Sequence, residues 1–247
     1  MTVMLAQIWR HPLKAIGREA LDQVTLTPDR WLPYDRLWAV AHERSKLGGN
    51  GWEKKVNFLR GVTDPALMAV TSQLDEVSGI LTLSYPGAGS VSFDPEGDVE
   101  PFLTWVGGIW SDDFPKPTGL YKADDAHLTD VPDACISVGC LSSNRALGQR
   151  MGQDLSPDRW RANLWLEGTA PWAEKEWVGK TITIGGVTLK VACEITRCKA
   201  TMANPETGRR DADTLGALDA LGHQEFGLYA EVVQGGSISV GDTVQTP

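Results

Sequence analysis

Apolar and polar residues alternate over the first ten positions. Val3, Leu5, Gln7 and Trp9 fall on one side, Met4, Ala6 and Ile8 on the other, and the run ends at His11-Pro12. A period of two predicts a strand. DQVTLTP reads as a second short strand, Pro28 and Pro33 bracket a turn, and RLWAVAHE, with Leu37, Ala39 and Ala41 in phase, reads as a third. Residues 66–74 and 80–84 give two more, and PGAGSVSF gives a hairpin with a glycine-rich turn. Residues 1–95 are therefore expected to be mostly β.

The pattern changes over 96–128. DVEPFLTWVGGIW predicts a short helix opened by Asp98, with Phe102, Leu103 and Val106 on one side. The turn-rich SDDFPKPTG follows, so this segment reads as the joint between two lobes. A second β-rich region then begins. ACISVGC is a strand, and LSSNRALGQRMG is a helix capped by Ser142 or Ser143 and closed by Gly152. RANLWLEG, KTITIGG, VTLKVACEITRC, GLYAEVVQGG and ISVGDTV read as strands. DADTLGALDALG places Leu215, Leu218 and Leu221 at helical spacing. Short strands with glycine-rich turns at 185–186 and 235–236 predict a barrel or a sandwich. The expected division is an N-terminal domain over 1–95, a connecting segment over 96–128 and a second domain over 129–247.

Charge narrows the function classes. The 247 residues carry a net charge of −9, which argues against a broad nucleic-acid-binding face. A local basic pocket for one phosphate remains compatible with that balance. No apolar run approaches the about 18 residues that a membrane span needs. The N-terminus lacks a basic region followed by a long apolar one, so the expectation is a cytoplasmic protein without a membrane anchor.

Chemistry concentrates around the cysteines and a few cations. Leu189, Val191, Cys193 and Ile195 share one strand face by period two, which places Cys193 in the core. Cys198 lies past the strand end between Arg197 and Lys199, two cations that favour a thiolate. A soft metal or a redox exchange needs a thiolate, although a loop cysteine can also be incidental. Cys135/Cys140 and Cys193/Cys198 form two C-x4-C pairs and raise a four-cysteine zinc site, which the strand parity disfavours. Lys14, Arg36, Arg159 and Arg161 sit at strand ends or turns, with the Asn163 amide nearby, and suit a small phosphate. There is no phosphate-cradling G-x-x-x-x-G-K-[ST] loop and no strand-bound G-x-G-x-x-G. His11, His42, His127 and His223 form no metal spacing. Ten tryptophans are expected to serve packing, with a substrate entrance lined by Trp105, Trp110, Trp172 and Trp177 as the alternative.

Six stretches in order carry a resemblance. IWRHPLKAIGREAL is similar to a "Y-P-x-K-S" opening, DRLWAVAHE to "D-R-x-W-x-V", and CISVGCLSSNRALGQRMG to a strand and Ser-initiated helix. RWRANLWLEG resembles "R-F-R-P-N", ITRCKATMANPETG resembles "R-C-x-x-T-x-x-D-P-x-T-G", and FGLYAEVVQGGSISVGDTV matches "F-G-x-x-x-x-V-x-x-G-x-I-x-V-G-D". Together they resemble the MOSC-domain proteins. The closer likeness is to the two-part type that includes bacterial reductases of N-hydroxylated compounds and the mitochondrial amidoxime-reducing component.

The resemblance implies a mainly β fold with short helices, a MOSC β-barrel plus a smaller N-terminal β-rich, barrel-like domain. It implies a molybdenum cofactor (Mo-molybdopterin) with Cys198 as catalytic metal ligand. Lys14, Arg36, Arg159 and Arg161 would bind the pterin and its phosphate, with Asn163 and Thr201 as further polar positions near the cofactor, and the backbone amides at the helix start of Ser142 and Ser143 would face the anion too. The implied activity is reduction of N–OH to N–H in a small substrate, with detoxification as its use. A non-catalytic cofactor or sulfur carrier is the alternative. Ala15 stands where Ser is usual, Ala162 where Pro is, and Asn204 where Asp is. The sequence has no C-x4-C-x2-C run for an iron–sulfur cluster, so electrons are expected from a separate ferredoxin- or flavoprotein-type donor.

Overall fold

A computed structural model describes residues 2–247. The N-terminal part supplies β1 (Val3–Arg10), β2 (Glu19–Leu21), β3 (Gln23–Leu26), β4 (Trp38–His42), β5 (Thr71–Leu74), β6 (Leu81–Tyr85), β7 (Gly89–Phe93), α1 (Glu100–Gly107) and β8 (Pro117–Lys122). The remainder supplies β9 (Cys135–Cys140), α2 (Leu141–Met151), β10 (Leu164–Glu167), β11 (Thr181–Ile184) and β12 (Val187–Thr196). It ends with α3 (Thr214–Asp219), β13 (Glu225–Gln234), β14 (Gly236–Ser239) and β15 (Thr243–Gln245).

Seven strands close a barrel in the order β10-β9-β13-β12-β11-β15-β1, with β1 returning to β10. Closure removes the free edges that an open sheet of short strands would leave. β1 thus sits between two C-terminal strands, and β3 pairs with β14. Alternation, with a bulge between Leu5 and Gln7 that turns both Leu5 and Ile8 inward, fills the interior with these two and Ile136, Val138, Leu164, Leu166, Leu189, Val191, Leu228 and Ala230. The barrel is therefore a packed core, and any ligand site lies outside it. β9 is buried along its whole length because its outward face is covered too. On that outward face Gly139 lies beside its parallel partner Trp165, and a β-carbon there would stand 2.7 Å from the indole. Trp165 is fully buried and cannot swing away. Gly139→Ala is expected to cost about 1–3 kcal/mol by overpacking, read as a lower denaturation midpoint.

A second core lies in the N-terminal part, where β4 pairs with β8 and β5-β6-β7 form a small sheet. Trp38, Val40, Leu67, Leu81, Leu83, Phe93, Phe102 and Val106 pack together there. The segment 96–128, read as a joint, supplies α1 and β8 to this layer. Asp98 does open α1: its Oδ1 accepts from the Glu100 amide at 3.0 Å. A third cluster joins α2 and α3 through Leu147, Leu218, Trp160, Trp165 and Phe226. Trp110 and Trp177 are buried, and Trp105 and Trp172 pack at cluster edges, so these tryptophans serve packing.

Three local expectations change. Residues 65–69 form a 3₁₀ helix rather than strand, because Asp64 accepts from the Ala66 amide and Pro65 presets the first turn. ISVGDTV breaks into β14 and β15 at Gly241, whose φ is 97°. Ser142 and Ser143 do not cap α2, which starts directly from the end of β9, whereas Gly152 closes it at φ 68° as expected.

Candidate functional site

Two halves of the chain meet over a cavity of about 520 Å³. Its walls include Lys14 and Ala15 after β1, Arg36 before β4, Lys55, Arg60 and Gly61 from the loop beyond β4, and Thr129 and Asp130 before β9. Cys135, Ser137, Arg159, Arg161, Asn163, Cys193, Arg197, Cys198, Thr201 and Tyr229 complete the other side. Seven cations (Lys14, Arg36, Lys55, Arg60, Arg159, Arg161, Arg197) face two carboxylates (Asp130, Glu194). The acidic chain thus holds a strongly positive interior pocket.

The cations are held by design of the backbone. Ala15, Arg36 and Arg161 all adopt left-handed conformations, with φ of 63°, 51° and 50°. Such strain in non-glycine residues costs about 1–3 kcal/mol each and persists where neighbours over-determine it. For Arg36 those neighbours are identifiable. Its amide donates to His11 O at 2.6 Å and its carbonyl accepts from Leu128 N at 2.7 Å. Its Nη2 donates to Arg161 O at 2.7 Å, and its Nη1 pairs with Asp35. Arg161 donates to Gly17 O and Leu13 O at 3.0 and 3.3 Å. Lys14 Nζ donates to Leu128 O at 2.8 Å and Asp130 Oδ1 at 2.6 Å.

Electrostatics show the same crowding. Burial, and then the neighbouring Arg36, lower Arg161 to about 9. Burial lowers Arg197 to about 10, against the opposing pull of Tyr229 and Cys198. Burial also lowers Lys14, although Asp130 opposes it. Burial pushes Asp130 up, but Lys14 more than offsets that and leaves it at about 2. An anion entering the cavity would relieve this repulsion.

Among the buried polar atoms without a partner, Arg159 Nε and Arg197 Nη2 belong to residues of the cavity wall. Their other nitrogens are spent, Arg159 on Met202 O and Asp211, Arg197 on Phe226 O at 2.7 Å and Trp160 O at 2.9 Å. Gly227 makes the Arg197 site possible. It sits at φ +73°, and a β-carbon there would stand 3.1 Å from Nη2 and 2.8 Å from Val138 O. Buried unsatisfied donors cost free energy unless a ligand meets them. The seven cations of the wall fit an anionic group such as a phosphate.

The four cysteines separate by environment. Cys140 points into the barrel core, where burial and then Glu174 raise it well above the usual thiol range. Burial, with Glu231 and Asp133 nearby, pushes Cys135 up to about 12. Cys193 is exposed rather than in the core. A bulge between Val191 and Cys193 inserts one residue against β13 and sets Cys193 opposite Tyr229, on the cavity face. Cys198 is exposed at the end of β12, where the 3₁₀ turn Lys199–Met202 begins. No group of three or more His, Cys, Asp or Glu among the described residues could hold a metal, so the four-cysteine zinc reading has no structural support.

Lys14, Arg36, Arg159, Arg161, Asn163, Cys198 and Thr201 thus line one cavity. The Asn163 amide is already occupied by Ser137 and Trp9 O, and the Thr201 hydroxyl by Cys198 O and Thr214. Ser142 and Ser143 lie elsewhere: Ser142 bonds Thr169 at 2.7 Å and Ser143 bonds buried Glu174 at 2.9 Å. Helix α2 starts on the far end of β9, so its first turn cannot reach the cavity wall formed by Cys135 and Ser137. Sequence reasoning missed Arg197, Arg60, Lys55 and Tyr229 as wall residues. Strand parity pointed to Tyr229, opposite in phase to core residues Leu228 and Ala230.

Two family models match the chain in succession. The MOSC N-terminal beta barrel domain matches residues 2–105 and the MOSC domain residues 124–245. A molybdenum cofactor sulfurase of Drosophila willistoni is 34% identical over 90 residues, 36% of this chain, and the match spans 11% of that protein. The YuaD protein of Bacillus subtilis is 14% identical with a TM-score of 0.47, over 99% of this chain and 94% of that one. YiiM of Geobacillus stearothermophilus is 18% identical with a TM-score of 0.36, over 45% and 53%. No helix among the described residues is long and apolar enough to cross a membrane. With both domain models matched in succession over most of its length, the chain belongs to the MOSC-domain proteins, a family associated with the molybdenum cofactor.

Proposed function

We propose that the cavity holds Mo-molybdopterin and that the protein reduces N-hydroxylated compounds. The observation that carries the reading is the set of seven cations, Lys14, Arg36, Lys55, Arg60, Arg159, Arg161 and Arg197, that line the cavity Cys198 borders. Lys14, Arg36, Arg159 and Arg161 would bind the phosphate and pterin, and Cys198 would supply the soft thiolate ligand. When bound, the cofactor supplies two-electron removal of oxygen, so that N–OH, two electrons and two protons give N–H and water. The chain's own contribution is binding and orientation. The left-handed Arg36 and Arg161 fix two guanidiniums before any ligand arrives, and fixed charge avoids reorganisation during reaction. The electrons would come from a separate ferredoxin- or flavoprotein-type donor.

The test is molybdenum and pterin analysis of protein made in a cofactor-competent host, paired with reduction of a simple aromatic amidoxime by a chemical electron donor. Molybdenum and pterin near one equivalent, with turnover, are the expected result. Cofactor without turnover would instead identify a carrier. Protein free of pterin from such a host would overturn both readings.

A further inference from the structure

Six of the seven cavity cations have protein partners. Arg36 pairs with Asp35, Arg159 with Asp211, and Lys14 and Lys55 with Asp130. Arg161 and Arg197 are held by backbone carbonyls. Arg60 is the exception. It is half-buried in the wall, yet its side chain makes no hydrogen bond or ion pair among the described residues.

Its position is nonetheless fixed. Fully buried Leu59 anchors the chain just before it, with Leu59 N donating to Val40 O at 2.9 Å. The Arg60 carbonyl accepts from Thr63 N and Asp64 N at 3.0 and 3.1 Å, which closes a turn. Arg210, from the other half of the chain, donates to Val62 O at 2.8 Å and clamps this turn down. A β-carbon on Gly61 would stand 3.6 Å from the Ala200 methyl, so the turn lies over the segment that begins at Cys198. A chain with 32 acidic residues thus leaves one half-buried guanidinium, carried on a clamped turn, open in the cavity that Cys198 also lines. An unpaired guanidinium is a ready partner for an oxyanion.

We propose that Arg60 binds the anionic end of the substrate, so that the preferred substrates are N-hydroxylated compounds that also carry a carboxylate or phosphate-like group. This rests on the reductase reading and adds a specificity determinant from the N-terminal part.

The experiment uses cofactor-loaded protein and three probes: a neutral aromatic amidoxime, its para-carboxylate and its para-phosphonate. The measured quantity is the ratio of kcat/KM for each anionic probe to that for the neutral one. A charge-assisted hydrogen bond corresponds to about tenfold or more. The ratio is expected to fall about tenfold in Arg60→Gln and to recover in part in Arg60→Lys. The larger Arg60-dependent gain tells carboxylate from phosphonate. Equal ratios in wild type and variant would overturn the proposal while the reductase reading stands. Loss of pterin in Arg60→Gln would also overturn it, by placing Arg60 on the cofactor. Binding of the para-carboxylate without electron donor, measured by calorimetry, separates the two ideas. Arg60-dependent binding with no turnover of any amidoxime would retain the anion subsite and remove the reductase reading.

Discussion

Cys198→Ser is expected to lower amidoxime reduction by more than about 100-fold while leaving the fold intact. Residues that only support a metal ligand cost about 10–100-fold when removed, and the ligand itself must cost more. A hydroxyl is a harder, less electron-rich donor than a thiolate, so it cannot replace the sulfur at a soft metal. The side chain is exposed at the end of β12, so its loss creates no cavity in a core. Stability should stay within about 0.5 kcal/mol of wild type, as for other surface changes. Pterin should remain bound, because the cations that would hold it are untouched, whereas molybdenum per pterin should drop. Cys193→Ser is the informative control. It alters an exposed thiol on the same cavity face and should cost far less. Activity in Cys198→Ser within tenfold of wild type would remove Cys198 from the metal.

The contrast between these two cysteines shows where sequence pattern stops. Period-two alternation located nearly every barrel strand, because each strand buries one face in a closed core. The same rule sent Cys193 inward, and a single inserted residue after Val191 reversed it. A bulge has no signature in hydropathy, since Ala192 reads like any strand residue. Likewise the strand assigned to 66–69 failed because an Asp-Pro start redirected an apolar run into a 3₁₀ turn.

Site residues were legible where they broke a pattern. Lys14, Arg36, Arg159 and Arg161 stood out as cations at strand ends in an acidic chain, and one cavity collects them. Ser142 and Ser143 were placed by helix-start logic alone, and the direction of β9 carries that helix start away from the cavity. Arg60 was invisible for the opposite reason. Nothing in its neighbourhood marks it until the turn at 60–64 is folded over the Cys198 segment. Long-range contact, not local composition, creates that feature.

Asp35→Ala is expected to be among the most destabilising single changes, by about 3–5 kcal/mol, because it strands a paired charge. Asp35 is 3% exposed, accepts from the His11 amide at 2.8 Å through Oδ1, and pairs with Arg36 through Oδ2. Burial pushes its carboxyl up, but Arg36 and His11 more than offset that and hold it well below the usual carboxylate range. A carboxylate depressed in the folded state contributes stability above its unfolded pKa of about 3.9 and loses it as pH falls through the folded value. The difference in melting temperature between wild type and variant should therefore be constant from neutral pH to about 5 and shrink below about 4. Burial and the nearby Arg161 and Arg36 hold His11 neutral while Asp35 opposes them, so losing Asp35 only deepens the His11 penalty, and the shrinkage below about 4 still reports Asp35. Near pH 7 the melting temperature should fall by about 10 °C, at roughly 2–4 °C per kcal/mol for a chain of this size. Removing Arg36 as well, in Asp35→Ala/Arg36→Met, should restore part of that loss, since the uncompensated cation goes with it. The double variant should still bind less pterin than wild type, because Arg36 is absent from the cavity wall. A single-variant loss below about 1 kcal/mol, or no recovery in the double variant, would mean that the pair does not set the geometry of Arg36.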